Sequence, residues 1–123
     1  MLTNILAVAT GGALGAVIRF LNNRLMVKFF STNLYWATLM VNVIGCFLMG
    51  IAYVWLLSKY HTSEPMILFI TVGFLGALTT WSTFSMETVL MLNSGEIIKG
   101  FTYLITTFVL CFLGFYIGMK ISS

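Results

Sequence analysis

The sequence predicts an all-α integral membrane protein: four transmembrane helices, a break in the third, and pairing as an inverted, dual-topology homodimer. Three observations carry this. The 123 residues are 60% hydrophobic and 7% charged, whereas a soluble domain carries about 25% charged residues. The charges divide the chain into four spans free of Asp, Glu, Lys, Arg and His: Met1 to Ile18, Phe29 to Ser58, Pro65 to Met86, and Gly100 to Met119. Each gap reaches the roughly 18–20 residues that cross the hydrocarbon. Third, Lys and Arg are shared almost evenly between the two sides, so one chain can insert either way. Residues 1–123 therefore read as a single four-helix transmembrane domain.

Helix 1 is expected from Thr3 to Phe20, ending near Arg19. It is not read as a signal peptide, because it lacks a basic start and contains Gly11, Gly12 and Gly15. A connection with an interfacial stretch follows over Leu21–Asn33, holding Arg24 and Lys28. Helix 2 is expected over Leu34–Leu57. The polar turn Ser58–Pro65 contains the only His and the only Pro. Helix 3 is expected over Met66–Leu92, the turn at Asn93-Ser94-Gly95, and helix 4 over Ile97–Met119. Four spans put both termini and the helix 2–3 turn on one side, with Lys59 and Lys120. The other side holds Arg24, Lys28 and Lys99, with Arg19 added where it faces the interface.

The third span is unusual in composition. From Gly73 to Ser85 it is rich in Gly, Thr and Ser, which weaken a helix through backbone entropy, χ1 crowding and competing local hydrogen bonds. Irregular backbone at membrane depth survives only where protein or a water-filled cavity surrounds it. A broken helix at a transport site is the expectation, with the break near Gly76–Thr80. Thr79, Thr80, Ser82, Thr83 and Ser85 interleave with Trp81 and Phe84. Such a run reads as the lining of a polar pathway, against the alternative of hydroxyls bonded back to their own helix.

Helix 2 adds Thr38, Asn42 and Gly45 on one face. Asn42 has two readings: an amide that ties helices together, or one that lends N–H donors to a passing anion. A path of hydroxyls, amides and ring edges offers donors and positive aromatic rims without a full positive charge. That chemistry suits a small, hard anion that must shed water and still leave; a buried Lys or Arg would hold it too tightly. Carbonyls freed at the break suit a hard cation such as Na⁺. Gly114 and Gly118 on helix 4 permit close helix approach, within one chain or between two. Cys46 and Cys111 lie in apolar spans without metal-site spacing and read as free thiols.

The net charge of +3 is small and sits in the connections, so no nucleic-acid partner is expected. The sequence shows no nucleophile–base–acid set, phosphate loop or metal-ligand cluster, and the chain is not read as an enzyme. A small dual-topology proton-coupled multidrug exporter is the alternative. It would need an acidic residue at mid-membrane; helix 1 has none and Glu87 lies toward the end of its span.

Three segments together resemble the signatures of the Fluc (CrcB-type) fluoride channels. They are Gly11-Gly12-Ala-Leu-Gly15-Ala16-Val-Ile-Arg19-Phe20, Thr38-Leu-Met-Val-Asn42-Val-Ile-Gly45, and the run from Gly73 through Ser85 to Glu87. The resemblance covers essentially the whole chain. It implies a passive, fluoride-selective channel of a bacterial-type inner membrane, with two pores per antiparallel homodimer and a structural Na⁺ at the dimer axis. Such a channel exports fluoride that enters as HF and dissociates in the cytoplasm. By the same resemblance Gly76 and Thr79 hold the Na⁺ through their carbonyls, Trp81 and Phe84 are the pore aromatics, and Asn42 is the pore asparagine. Ser82, Thr83, Ser85 and Thr38 match hydroxyl-bearing positions along the path. Thr107 falls where helix 4 contributes a polar residue. Glu87 matches an acidic support, and Arg19 an arginine at a vestibule that draws anions. This chain departs from the family in carrying Trp81 where Phe is usual.

Overall fold

The computed structural model describes every residue except Thr32 and Tyr60, and the side chain of Lys59. Those positions of the expected connections, and Lys59 in the charge count, lie outside the described residues. The chain is all-helical, and four helices are long and apolar enough to cross a membrane: α1 Leu2–Phe30, α2 Leu34–Ser58, α3 Glu64–Asn93 and α4 Ile97–Ser122. The protein is a multi-pass membrane protein. Its large apolar side chains point outward, Phe112 being 72% and Ile98 84% exposed on the single chain. A lipid-facing surface requires that arrangement, since lipid tails are as apolar as the side chains themselves.

The expected end of helix 1 near Phe20 is corrected. The helix runs on to Phe30 and stops where Ser31 turns left-handed, φ 49°. Residues 21–30 contain no Gly or Pro, so nothing in the backbone ends the helix there. Arg24 and Lys28 mark where the span meets water, not where the helix stops. Their cations lie over Phe20 and Phe29, at 5.9 and 5.4 Å from the ring centroids. α3 starts at Glu64, with Pro65 inside the first turn, where its missing N–H costs nothing. The turn to α4 passes through Gly95 at φ +86°, a conformation glycine adopts without strain.

Three local features shape the bundle. Tyr53–Lys59 and Phe69–Leu75 are wound as wide π-helical turns, which leave the backbone's usual bonding ladder and occur mostly as short pieces. Within α3, α-helical geometry ends at Leu78. Thr79 and Thr80 are extended, with φ, ψ of −78°, 158° and −149°, 116°, and helix resumes at Trp81.

Glycines set the helix spacing. A Cβ on Gly11 would meet the Phe69 carbonyl, and one on Gly15 the Phe74 carbonyl, so α1 and the first half of α3 touch backbone to backbone. A Cβ on Gly118 would meet the Phe47 carbonyl, and one on Gly114 would lie 3.2 Å from the Val43 carbonyl. The Gly114–Gly118 pair thus packs α4 on α2 within the chain. Buried Val41, Ala52, Leu75 and Leu78 form one apolar cluster; Phe84, Met91 and Tyr103 form another. The extended pair Thr79–Thr80 falls between the two.

Candidate functional site

Asn42 is buried on α2 and faces the extended pair. Its Nδ2 donates to the Thr80 carbonyl at 3.1 Å, and the Thr80 N–H donates to its Oδ1 at 2.7 Å. One side-chain amide thus satisfies both backbone groups of a residue that has left the helix. The approach is close because position 45 is glycine: a Cβ there would collide with the Thr79 methyl. Thr80 then caps the second half of α3, its Oγ1 accepting from the Thr83 N–H at 3.2 Å. The cap satisfies one of the amides that every helix start leaves open. The Ser82 hydroxyl lies 3.4 Å from the same Oγ1.

These two diversions free two carbonyls. In an unbroken helix the Thr80 N–H would bond to the Gly76 carbonyl, and the Thr83 N–H to that of Thr79. Here the first is taken by Asn42 and the second by Thr80 Oγ1. The Thr79 hydroxyl donates back to the Leu75 carbonyl at 3.0 Å.

A cavity of about 270 Å³ opens beside the extended pair. It is lined by Asn42, Cys46, Thr79, Thr80, Trp81, Phe84, Thr107, Phe108, Cys111 and Phe112. No Lys, Arg, His, Asp or Glu is among them. Its aromatic wall is a chain of rings: Trp81 and Phe84 lie 5.3 Å apart, and Trp81 stands perpendicular to Phe108 at 5.6 Å. Edge-to-face packing of this kind brings the positive rim of one ring against the negative face of the next. Thr107 is buried and donates to the Tyr103 carbonyl at 2.7 Å, so its oxygen, not its proton, is left for the cavity.

A second polar group lies on the far side of Phe84, which is 2% exposed. Glu87 accepts from the Thr38 hydroxyl at 2.9 Å through Oε1, and from the Tyr103 hydroxyl at 2.8 Å through Oε2. The Tyr103 ring packs on Phe84, centroids 5.2 Å apart. Thr38 also lies 3.2 Å from the Leu34 carbonyl. Its one proton suits the nearer carboxylate oxygen.

Of the residues singled out in the sequence, Asn42, Thr79, Trp81, Phe84 and Thr107 meet at the cavity, and Thr38 meets Glu87. Ser82, Thr83 and Ser85 sit on the first turn and a half of the resumed helix, outside the cavity lining, with Ser82 exposed. Gly76 lies in the last turn of the first half of α3, which ends at Leu78, and is exposed on the single chain. Arg19 is half-buried on α1 and is not among the residues that line the cavity. Sequence reasoning counts Thr80 among the hydroxyls of the pathway but misses its backbone pairing with Asn42, and gives no role to Tyr103, which bonds Glu87. Tyr103 lies four residues before Thr107, so a polar face on helix 4 is the signal that points to it.

A family model described as CrcB-like protein, Camphor Resistance (CrcB), matches residues 6–119. The chain is 42% identical over 120 residues to a protein of Shewanella sp. (strain W3-18-1) named fluoride-specific ion channel FluC. That match covers 98% of this chain and 96% of the relative. Proteins of the same name from Shewanella loihica and Shewanella baltica (strain OS185) are 42% and 41% identical over the same length. A match that runs from the first glycine-rich turns of α1 to the last turn of α4, over a chain that folds as four membrane-spanning helices, places this chain in the CrcB-like family.

Proposed function

We propose that this chain is a passive, fluoride-selective ion channel of a bacterial-type inner membrane that exports cytoplasmic fluoride through two pores of an inverted homodimer. The carrying observation is the cavity beside Thr79–Thr80: the Asn42 amide, threonine hydroxyls, thiols and aromatic rings line it, and no charged side chain does. The curated relatives named fluoride-specific ion channel support the choice of anion.

The lining explains how a strongly hydrated anion could pass. Asn42 Nδ2 carries two hydrogens. One is committed to the Thr80 carbonyl, which fixes the amide and leaves the other for an ion. Trp81, Phe84 and Phe108 supply ring edges, a weak and repeated attraction that replaces water without trapping the ion. Glu87 holds the Thr38 and Tyr103 hydroxyls from the opposite side of Phe84 and acts as polar support. Ser82, Thr83 and Ser85 extend the hydroxyl-bearing surface, and Arg19 draws anions to a vestibule.

The same reading takes Thr79–Thr80 as the break of helix 3 at membrane depth, and the exposed backbone at Gly76 and hydroxyl of Ser82 as surfaces covered by a second chain. Lipid offers no hydrogen bonds to such groups. Carbonyls whose amides have been diverted are the donor set that a hard cation takes. Gly76 and Thr79 therefore fit a structural Na⁺ at the dimer axis, where it would supply fixed positive charge between four oxygens that otherwise repel.

The test is efflux of fluoride from liposomes holding the purified protein. Fluoride should leave when a K⁺ ionophore relieves the voltage, chloride should not, and the reversal potential should ignore a Na⁺ gradient. Replacing Na⁺ on both sides by a bulky organic cation should reduce the flux. Equal chloride efflux would refute a fluoride-selective channel, and a reversal potential that follows Na⁺ would make the protein a coupled transporter.

A further inference from the structure

The two thiols of the cavity have no part in that reading. Cys46 and Cys111 are free, partly exposed cysteines that line the same cavity as Asn42 and Thr107. Each follows one of those residues by four positions, Cys46 on α2 and Cys111 on α4. Four residues of helix advance the chain by about 6 Å, close to one turn. α2 and α4 run in the same direction, since Gly114 faces Val43 and Gly118 faces Phe47. The thiols therefore form the next layer of the cavity wall beyond Asn42 and Thr107. The glycine seam holds the helices close there, and both thiols face the one cavity.

Sulfur is the only soft ligand type this wall offers, and among the described residues no group of three or more His, Cys, Asp and Glu could hold a metal. Hard cations and tetrahedral Zn²⁺, which seeks four protein ligands in a structural site, are poorly served by two thiols. A soft ion that accepts two ligands in a line is well served. Charge narrows the choice further. Each thiol must lose its proton to bind. Two thiolates then neutralise a divalent ion but leave a monovalent one with net negative charge, which is costly in an apolar wall.

We propose that Cys46 and Cys111 form a two-thiolate site for a soft, linearly coordinating divalent cation, Hg²⁺ being the representative, and that the bound ion closes the anion path. In the binding step two S–H bonds break, two Hg–S bonds form and two protons leave to water; no oxidation state changes. The closure rests on the reading above that the cavity carries the anion, whereas the site itself does not.

The experiment uses the wild-type protein in liposomes with inorganic Hg²⁺. After loading, the protein is unfolded in detergent without reductant, treated with N-ethylmaleimide and weighed intact. One mercury per chain with neither thiol alkylated is the expected result. One mercury with one thiol alkylated, two mercuries, or none would overturn the site. C46S and C111S should each give up their mercury to a competing monothiol at a concentration that leaves wild type loaded, and equal retention would likewise overturn the site. Where a variant does not fold, the wild-type mass decides alone. In parallel, fluoride efflux should fall to the protein-free leak on loading and return with dithiothreitol. Mercury bridging both thiols with efflux unchanged would overturn the closure. Absence of fluoride efflux before any Hg²⁺ is added would refute the channel reading, and the mass would still decide the site.

Discussion

Asn42 does two jobs with one amide, and they separate by substitution. Its Oδ1 and Nδ2 pair with the N–H and carbonyl of Thr80, so the glue reading of this residue describes a real contact. The second Nδ2 hydrogen is what the channel reading uses. Asn42→Asp keeps an acceptor for the Thr80 N–H but turns an oxygen toward the Thr80 carbonyl. Losing that buried donor should cost about 1–3 kcal/mol of stability. An ionised carboxylate would also repel an anion in the cavity, and it has no N–H to offer. The expected outcome is a lowered thermal midpoint in detergent together with abolished fluoride efflux; a variant that conducts normally would show that the amide only holds the backbone. Asn42 stands out in the sequence because a lone amide in hydrocarbon needs a partner. Thr80 does not stand out as that partner. The two are thirty-eight residues apart in the chain, and only the placing of α2 against α3 joins them. The same holds for Glu87 and Tyr103: each is visible as a polar residue in an apolar span, but their bond is made by the fold.

At the scale of the element, α1 and α3 show what composition encodes and what it leaves out. The weak helix formers from Gly73 to Ser85 mark where α-helical geometry is least supported, and the extended residues Thr79 and Thr80 fall inside that run. The wide turn Phe69–Leu75 begins before that run, and Phe, Ile, Thr and Val at 69–72 give no sign that separates a π-helical turn from an α-helix. The overlong α1 was hidden for another reason. Charges report the membrane boundary, and a helix crosses that boundary without stopping. Glycine content in α1 signals close packing but not which glycine makes it. The structure separates two neighbours. A Cβ at Gly11 would run into the backbone of α3 at Phe69, Gly73 and Phe74, whereas at Gly12 the nearest atom would be the Gly73 carbonyl at 4.0 Å. Gly11→Ala should push the helices apart at a cost of about 1–3 kcal/mol, as overpacking does. Gly12→Ala should be neutral or stabilise by up to about 1 kcal/mol through helix propensity. Thermal unfolding of the two purified variants in detergent checks this. Equal shifts would mean that α1 does not meet α3 through Gly11.

For the whole molecule, the four spans are legible because charge cannot enter the hydrocarbon cheaply, so gaps between charges outline the helices. Assembly is less legible, since no single helix pattern records which face a second chain covers. Two kinds of observation still bear on it. On the single chain Gly76, in the last turn of the first half of α3, and Ser82 are exposed within the apolar span, where lipid offers nothing to bond with. Trp81, beside them, is 66% exposed although it borders the cavity. A second copy laid against this surface would cover all three. The near-even split of Lys and Arg supports the proposed inverted orientation of that copy: a protein with no positive-inside bias inserts both ways, and two oppositely inserted copies would meet about an axis in the membrane plane. On that proposal the turn between α3 and α4 would lie on both sides of the membrane. With Cys46 and Cys111 replaced by Ser, a single cysteine at the exposed Ser94 should react in part with an impermeant maleimide added outside. The remainder should react only after the membrane is opened. Complete reaction from one side would show a single orientation. The freed carbonyls of α3 would then face a parallel partner or lipid, and no axis in the membrane plane would exist for a Na⁺ to occupy.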